Sequence, residues 1–67
     1  MMNWKQVESR WSRFAIPIRT EWRELTDDDL EAADGNRGLL AALIHERYGV
    51  PAAEADRQIE AWLINRS

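Results

Sequence analysis

The sequence predicts an all-α domain, a small bundle of four to five short helices, and three observations predict it. Apolar residues recur at spacings of three and four along the chain, which places them on single faces of helices. Capping residues, glycines and prolines punctuate that pattern at helix-like intervals. The composition, 45% hydrophobic and 31% charged with four tryptophans, is too rich in bulky side chains for a typical disordered chain. At 67 residues the chain reads as one domain, 1–67. Folding at this size buries only about 60% of the surface of the unfolded chain. A core so small supplies roughly 3 to 5 kcal/mol net, so every large apolar residue counts.

The first helical pattern is Trp4, Val7, Trp11, Phe14 and Ile18, with Asn3 as its N-cap and Lys5, Glu8, Ser9, Ser12 and Arg13 off the stripe. It continues through Trp22 and Leu25. Pro17 lacks an amide proton and its ring opposes the carbonyl of Arg13, so a break near Ile16 and two segments, about 3 to 15 and 17 to 25, are expected. The aromatic stripe Trp4, Trp11, Phe14 and Trp22 is expected in the core, since a small domain needs its aromatics inside.

Next comes "LTDDDL", Leu25 to Leu30, with three adjacent carboxylates. Thr26 suits an N-cap, Asp29 stands where a capping box places its acid, and Asp27 to Asp29 fill a first turn that favours negative charge. Leu30 begins the buried face and Gly35 closes this short helix as a C-cap. A calcium-loop reading of Asp27, Asp29 and Glu31 fails on composition: Ala32 stands where the loop needs glycine, and no suitably placed bidentate Glu follows. The triplet therefore reads as folding chemistry.

A helix over about 36 to 48 follows, with Leu39, Leu40, Leu43, Ile44 and Tyr48 as its stripe, Gly38 as a mild interior cost of about 1 kcal/mol, and Gly49 as a left-handed cap. The last helix starts after Pro51, which suits a first helical position, and runs to about Asn65 with Ala55, Ile59, Trp62 and Leu63 inward.

Absence of cysteine excludes disulfides and thiol catalysis. The polar segment Met1 to Trp11 lacks the apolar run of a signal peptide, and no stretch approaches the ~18 apolar residues of a membrane span, so a cytoplasmic protein is expected. A formal charge of −3 argues against nucleic acid as a partner. That charge is unevenly placed: residues 1–23 hold five basic and two acidic groups, residues 24–34 hold six acidic and no basic ones, and the rest balances at four of each. Contact between the basic first segment and the acidic middle is a plausible use of the asymmetry. His45, the single histidine, falls beside the apolar stripe and has no second His, Cys or carboxylate at helical spacing to form a metal set. Nothing local brings Ser9, Ser12 or Ser67 to it as a nucleophile. No catalytic, cofactor-binding or metal-ligating residue is assigned, and no cofactor is expected.

"MNWKQVESRW", Phe14 and Trp22, "LTDDDL", the spaced glycine, Arg, Leu and Ile leading into "ERYG" from Gly35 to Gly49, and "EADRQIEAW" together resemble the CsbD-like family of small bacterial stress-response proteins. The resemblance covers nearly the whole chain, beginning at Met2 with Met1 as an extra residue. Ala15 to Arg19 replace a run that is rich in glycine and lysine in the family, Ala42 replaces a frequent glycine, and Pro51 stands where Ser or Thr is common. The resemblance implies two helical hairpins packed crosswise, a SAM-domain-like arrangement, and induction under general stress. It carries no catalytic residues. The expected function is a non-enzymatic stress-response protein acting by binding or protection, monomeric or weakly self-associating, with an unknown protein partner possible and no stable membrane binding. The alternative is a partner-binding or membrane-surface module that uses the basic, aromatic first helix.

Overall fold

A computed structural model describes residues 2–66 and folds them into five helices, with no strand among the described residues: α1 Trp4–Ser9, α2 Trp11–Glu21, α3 Asp27–Ala33, α4 Arg37–Tyr48 and α5 Ala52–Asn65. Met1, read above as an extra residue, and Ser67, weighed as a nucleophile, lie outside the described residues. The all-α class stands. The body measures 28 × 23 × 18 Å, with its most extensive helix contact between α4 and α5, while α3 packs on α4 and α1 on α2.

One core joins all five helices. Val7 of α1, Ile18 of α2, Leu30 of α3, Leu40 and Ile44 of α4, and Ala55, Ile59, Trp62 and Leu63 of α5 are buried in it, with Trp22 and Leu25 from the connection after α2. The 4-7-11-14-18 spacing thus carries Val7 and Ile18 fully inside. Trp4, Trp11 and Phe14 are only half-buried and pack against the core from its edge. The expectation of a wholly buried aromatic stripe holds for Trp22 and not for these three. Along the stripe Val7, Ile18, Trp22 and Leu25 are buried, and Trp4, Trp11 and Phe14 form a rim.

The break in the first pattern lies at Arg10, not near Ile16. Arg10 has φ −126° and ψ 39°, outside the helical region, and separates α1 from α2. Pro17 instead sits inside α2. An interior proline removes one backbone hydrogen bond, at roughly 3 kcal/mol. Its neighbours explain why the helix persists: Ile18 and Trp22 are buried and hold this length of chain against the core. Core burial of two large side chains outweighs the local preference.

Four more boundaries differ by a residue or a face. The cap of α3 is Asp34, in the left-handed region at φ 47°, followed by Gly35 at φ 84°. Gly35 is buried, and a Cβ there would meet the Glu8 side chain at 3.2 Å, so it provides both the turn and the close approach to α1. Gly38 lies at the start of α4, which Asn36 caps by accepting from the Leu39 amide at 3.0 Å. Helix α5 starts after Pro51, as expected, with the proline as its N-cap and not in the first helical position. In α4, Leu40 and Ile44 define the inward line, leaving Leu39 49% and Tyr48 39% exposed. They flank the inward line on opposite sides, where the chain covers them only in part: Leu39 beside α3, Tyr48 against the backbone at Glu24.

Candidate functional site

The acidic triplet was the stretch most like a chemical site, and each of its carboxylates has a different fate. Thr26 has extended backbone angles, its hydroxyl accepts from the Asp29 amide at 3.1 Å, and the Asp29 carboxylate accepts from the Thr26 amide at 3.1 Å. This is the reciprocal capping box that the spacing predicts. Asp29 also accepts two hydrogen bonds from Arg47 of α4, from Nε at 3.0 Å and from Nη2 at 2.8 Å. Asp29 is buried, so its charge must be compensated. The Arg47 hydrogen bonds and then the Thr26 backbone N–H hold its carboxyl below the ordinary 3.8, at about 2, against the opposing effect of burial. Asp27 pairs with Arg19 at 2.7 Å on the surface. Asp28 is exposed, with no ion pair among the described residues.

The triplet therefore serves folding, and no group of three or more His, Asp or Glu among the described residues is placed to hold a metal ion. Contact between the basic first segment and the acidic middle occurs at Arg19 and Asp27. The stronger partner of the acidic turn, Arg47, comes from the balanced remainder of the chain, and sequence reasoning missed it. Its signal was present only as an unassigned cation in the last turn of α4.

The aromatic stripe contributes polar contacts as well as bulk. Trp4 Nε1 donates to the Gly35 carbonyl at 2.9 Å and Trp11 Nε1 to the Leu30 carbonyl at 2.8 Å. The Gly35 carbonyl lies just past the end of α3, and the Leu30 carbonyl accepts the Trp11 indole in addition to the Asp34 amide. The two indoles, 5.9 Å apart at their centroids, thus clamp α1 and α2 onto α3. Trp22 Nε1 donates to Gln58 of α5 at 3.0 Å. His45 is exposed, and its Nδ1–H donates to the Val50 carbonyl, which fastens the turn after α4. Tyr48 accepts the Glu24 amide proton at 2.8 Å. Neither of these two contacts was legible from spacing.

Between α2 and α5 lies an open groove of about 560 Å³, lined by Pro17, Thr20 and Glu21 on one side and Gln58, Trp62 and Arg66 on the other. The Arg66 guanidinium stands 5.1 Å from the Trp62 ring centroid and 5.7 Å from that of Phe14. The groove presents a hydroxyl, an amide, a carboxylate and a guanidinium to solvent. It assembles no nucleophile with a base, and no pair of carboxylates. What it offers is weak polar recognition over an aromatic floor.

A small five-helix domain, tied by caps, indole hydrogen bonds and one bidentate ion pair, is the class of protein these features define. Curated relatives make it specific. The chain is 33% identical over 61 residues to the UPF0337 protein YjbJ of Escherichia coli O6:H1, covering 91% of this chain and 88% of that one. It is 34% identical over 61 residues to a UPF0337 protein of Rhodopseudomonas palustris, covering 91% and 92%. With a UPF0337 protein of Pseudomonas aeruginosa the identity is 36% over 58 residues, covering 87% and 89%. The chain belongs to the UPF0337 family, which is the CsbD-like family. No family model and no solved structure matches it.

Proposed function

We propose that this chain is a non-enzymatic, cytoplasmic stress-response protein that acts in stoichiometric amounts, by binding or by protecting other components of the cell. The observation that carries the reading is the use to which its reactive-looking groups are put. Asp29 is engaged by Thr26 and Arg47, Asp27 by Arg19, and His45 by the Val50 carbonyl. Membership of the CsbD-like family supports the stress role through the resemblance of its motifs. Burial of Val7 and Ile18 speaks against the membrane-surface alternative, because apolar insertion of α1 and α2 would have to remove both from the core. No helix among the described residues is long and apolar enough to cross a membrane.

A deletion strain and a strain with graded expression test the proposal. Under salt, heat and starvation the deletion should lower survival, and survival should rise in proportion to the amount of protein restored. Equal survival of deletion and parent under every stress would refute the stress role. Full protection at trace expression would refute the stoichiometric reading and point to catalysis.

A further inference from the structure

We propose that the chain associates with itself head to tail, by insertion of Ile16 of one copy into an apolar dimple between α3 and α4 of the next. Ile16 is 76% exposed, on the outer face of α2. It shares a shallow surface depression with Arg19, Thr20 and Arg23, and Arg13 lies one helical turn before it. A bare aliphatic knob is thus ringed by arginines, two of which, Arg13 and Arg23, have no ion pair among the described residues.

The complementary surface is on the same molecule. Ala32 and Ala33 of α3 and Leu39, Ala42 and Leu43 of α4 line a dimple of about 220 Å³, large enough for a four-carbon side chain, with Glu46 at its margin. Leu39 is half-exposed there. Asp28 lies one turn before Ala32 on the same line of α3, and Glu31 lies one turn after Asp28. All three carboxylates are exposed and without an ion pair among the described residues. A cation-ringed knob therefore faces an acid-rimmed hollow of fitting size, and the partner that presents such a hollow is a second copy. In this head-to-tail contact each copy offers its knob to one neighbour and its dimple to the next, which makes the contact heterologous. Opposite charges set its orientation and make it salt-sensitive, while the buried isoleucine supplies the anchor. The contact goes beyond the stress-response reading and does not depend on it.

Sedimentation velocity on the full chain over a range of concentrations, at low and high salt, tests the proposal. The sedimentation coefficient should rise with concentration at low salt, and the rise should shrink at high salt. Ile16→Glu and Ala42→Arg, both at exposed positions and checked for native helicity and melting, should each abolish the rise. Mixed in equal amounts they should form a one-to-one dimer, because the Ala42→Arg chain keeps its knob and the Ile16→Glu chain keeps its dimple. A monomer at every concentration, association by folded Ile16→Glu that matches the parent, or failure of the mixture to dimerise would each overturn it. Monomeric behaviour combined with Ile16-dependent co-sedimentation on anionic phospholipid vesicles would reassign the knob to a lipid surface, and also overturn it.

Discussion

Helices α1 and α2 differ from α3, α4 and α5 in what holds them. Helix α5 buries four side chains, Ala55, Ile59, Trp62 and Leu63, and it packs on α4 over the broadest contact in the molecule. Helix α1 buries Val7 alone and α2 buries Ile18 alone. The first two helices make up the difference with directional bonds: the Trp4 and Trp11 indoles to the Gly35 and Leu30 carbonyls, and the Trp22 indole to Gln58. Apolar interdigitation tolerates small shifts, whereas an indole N–H must meet its carbonyl within hydrogen-bond distance and angle. One half of the bundle is thus held chiefly by area, with the Asp29–Arg47 pair and the Arg37 contacts added, and the other chiefly by a few placed donors.

The most severe test of that contrast is Trp62→Ala. The Trp62 ring is buried, with its centroid 6.0 Å from both Trp22 and Phe14, at the seam between the two halves. Its loss should cost about 3 to 5 kcal/mol, as much as the whole stability expected at this size, and circular dichroism should show a largely unfolded chain. A near-native urea midpoint would show that area at the seam is not what joins the halves.

Asp29→Asn comes next. Asp29 titrates at about 2 in the folded protein against 3.8 ordinarily, so its contribution is fully present above about pH 4 and is lost as the pH falls from 4 towards 2. The variant should melt lower than the parent at neutral pH, and the gap should narrow in that acid window. A gap that stayed constant down to pH 2 would remove the ionised carboxylate from the account.

Trp11→Phe keeps most of the ring and removes one donor to the Leu30 carbonyl, which retains the Asp34 amide at 3.1 Å. A loss of about 1 kcal/mol is expected, with the denaturant slope unchanged. No loss would mean that the half-buried tryptophans act by area after all. Thr26→Ala should cost about 1 kcal/mol by removing the hydroxyl that accepts from the Asp29 amide. Asp28→Asn, at an exposed and unpaired position, should stay within about 0.5 kcal/mol. Urea melts of these last two variants check the acidic turn: greater damage at Asp28 would overturn the assignment of the triplet to capping.

Much of the α3 to α5 half was legible in the sequence. Thr26 and Asp29, Gly49, and the inward residues Leu40, Ile44, Ala55, Ile59, Trp62 and Leu63 stand where the spacing puts them. The α1 to α2 half was less legible. The rule for proline placed a break at Ile16, but burial of Ile18 and Trp22 keeps Pro17 helical, and the break moves to Arg10. The polar partnerships were illegible throughout, since Arg47 reaches Asp29 from 18 residues away and Gln58 reaches Trp22 from 36.

By itself, then, the sequence determined the helical class, the caps and the central apolar lines, because each depends on groups within one or two turns of each other. Only the tertiary structure decided where the first helix breaks, which tryptophans remain at the rim, which arginine neutralises the buried aspartate, and that Ile16 and the Ala32 to Leu43 hollow are left open on different faces. Those outcomes depend on which surfaces meet when five short helices share one core, and no local interaction is strong enough to specify that in advance.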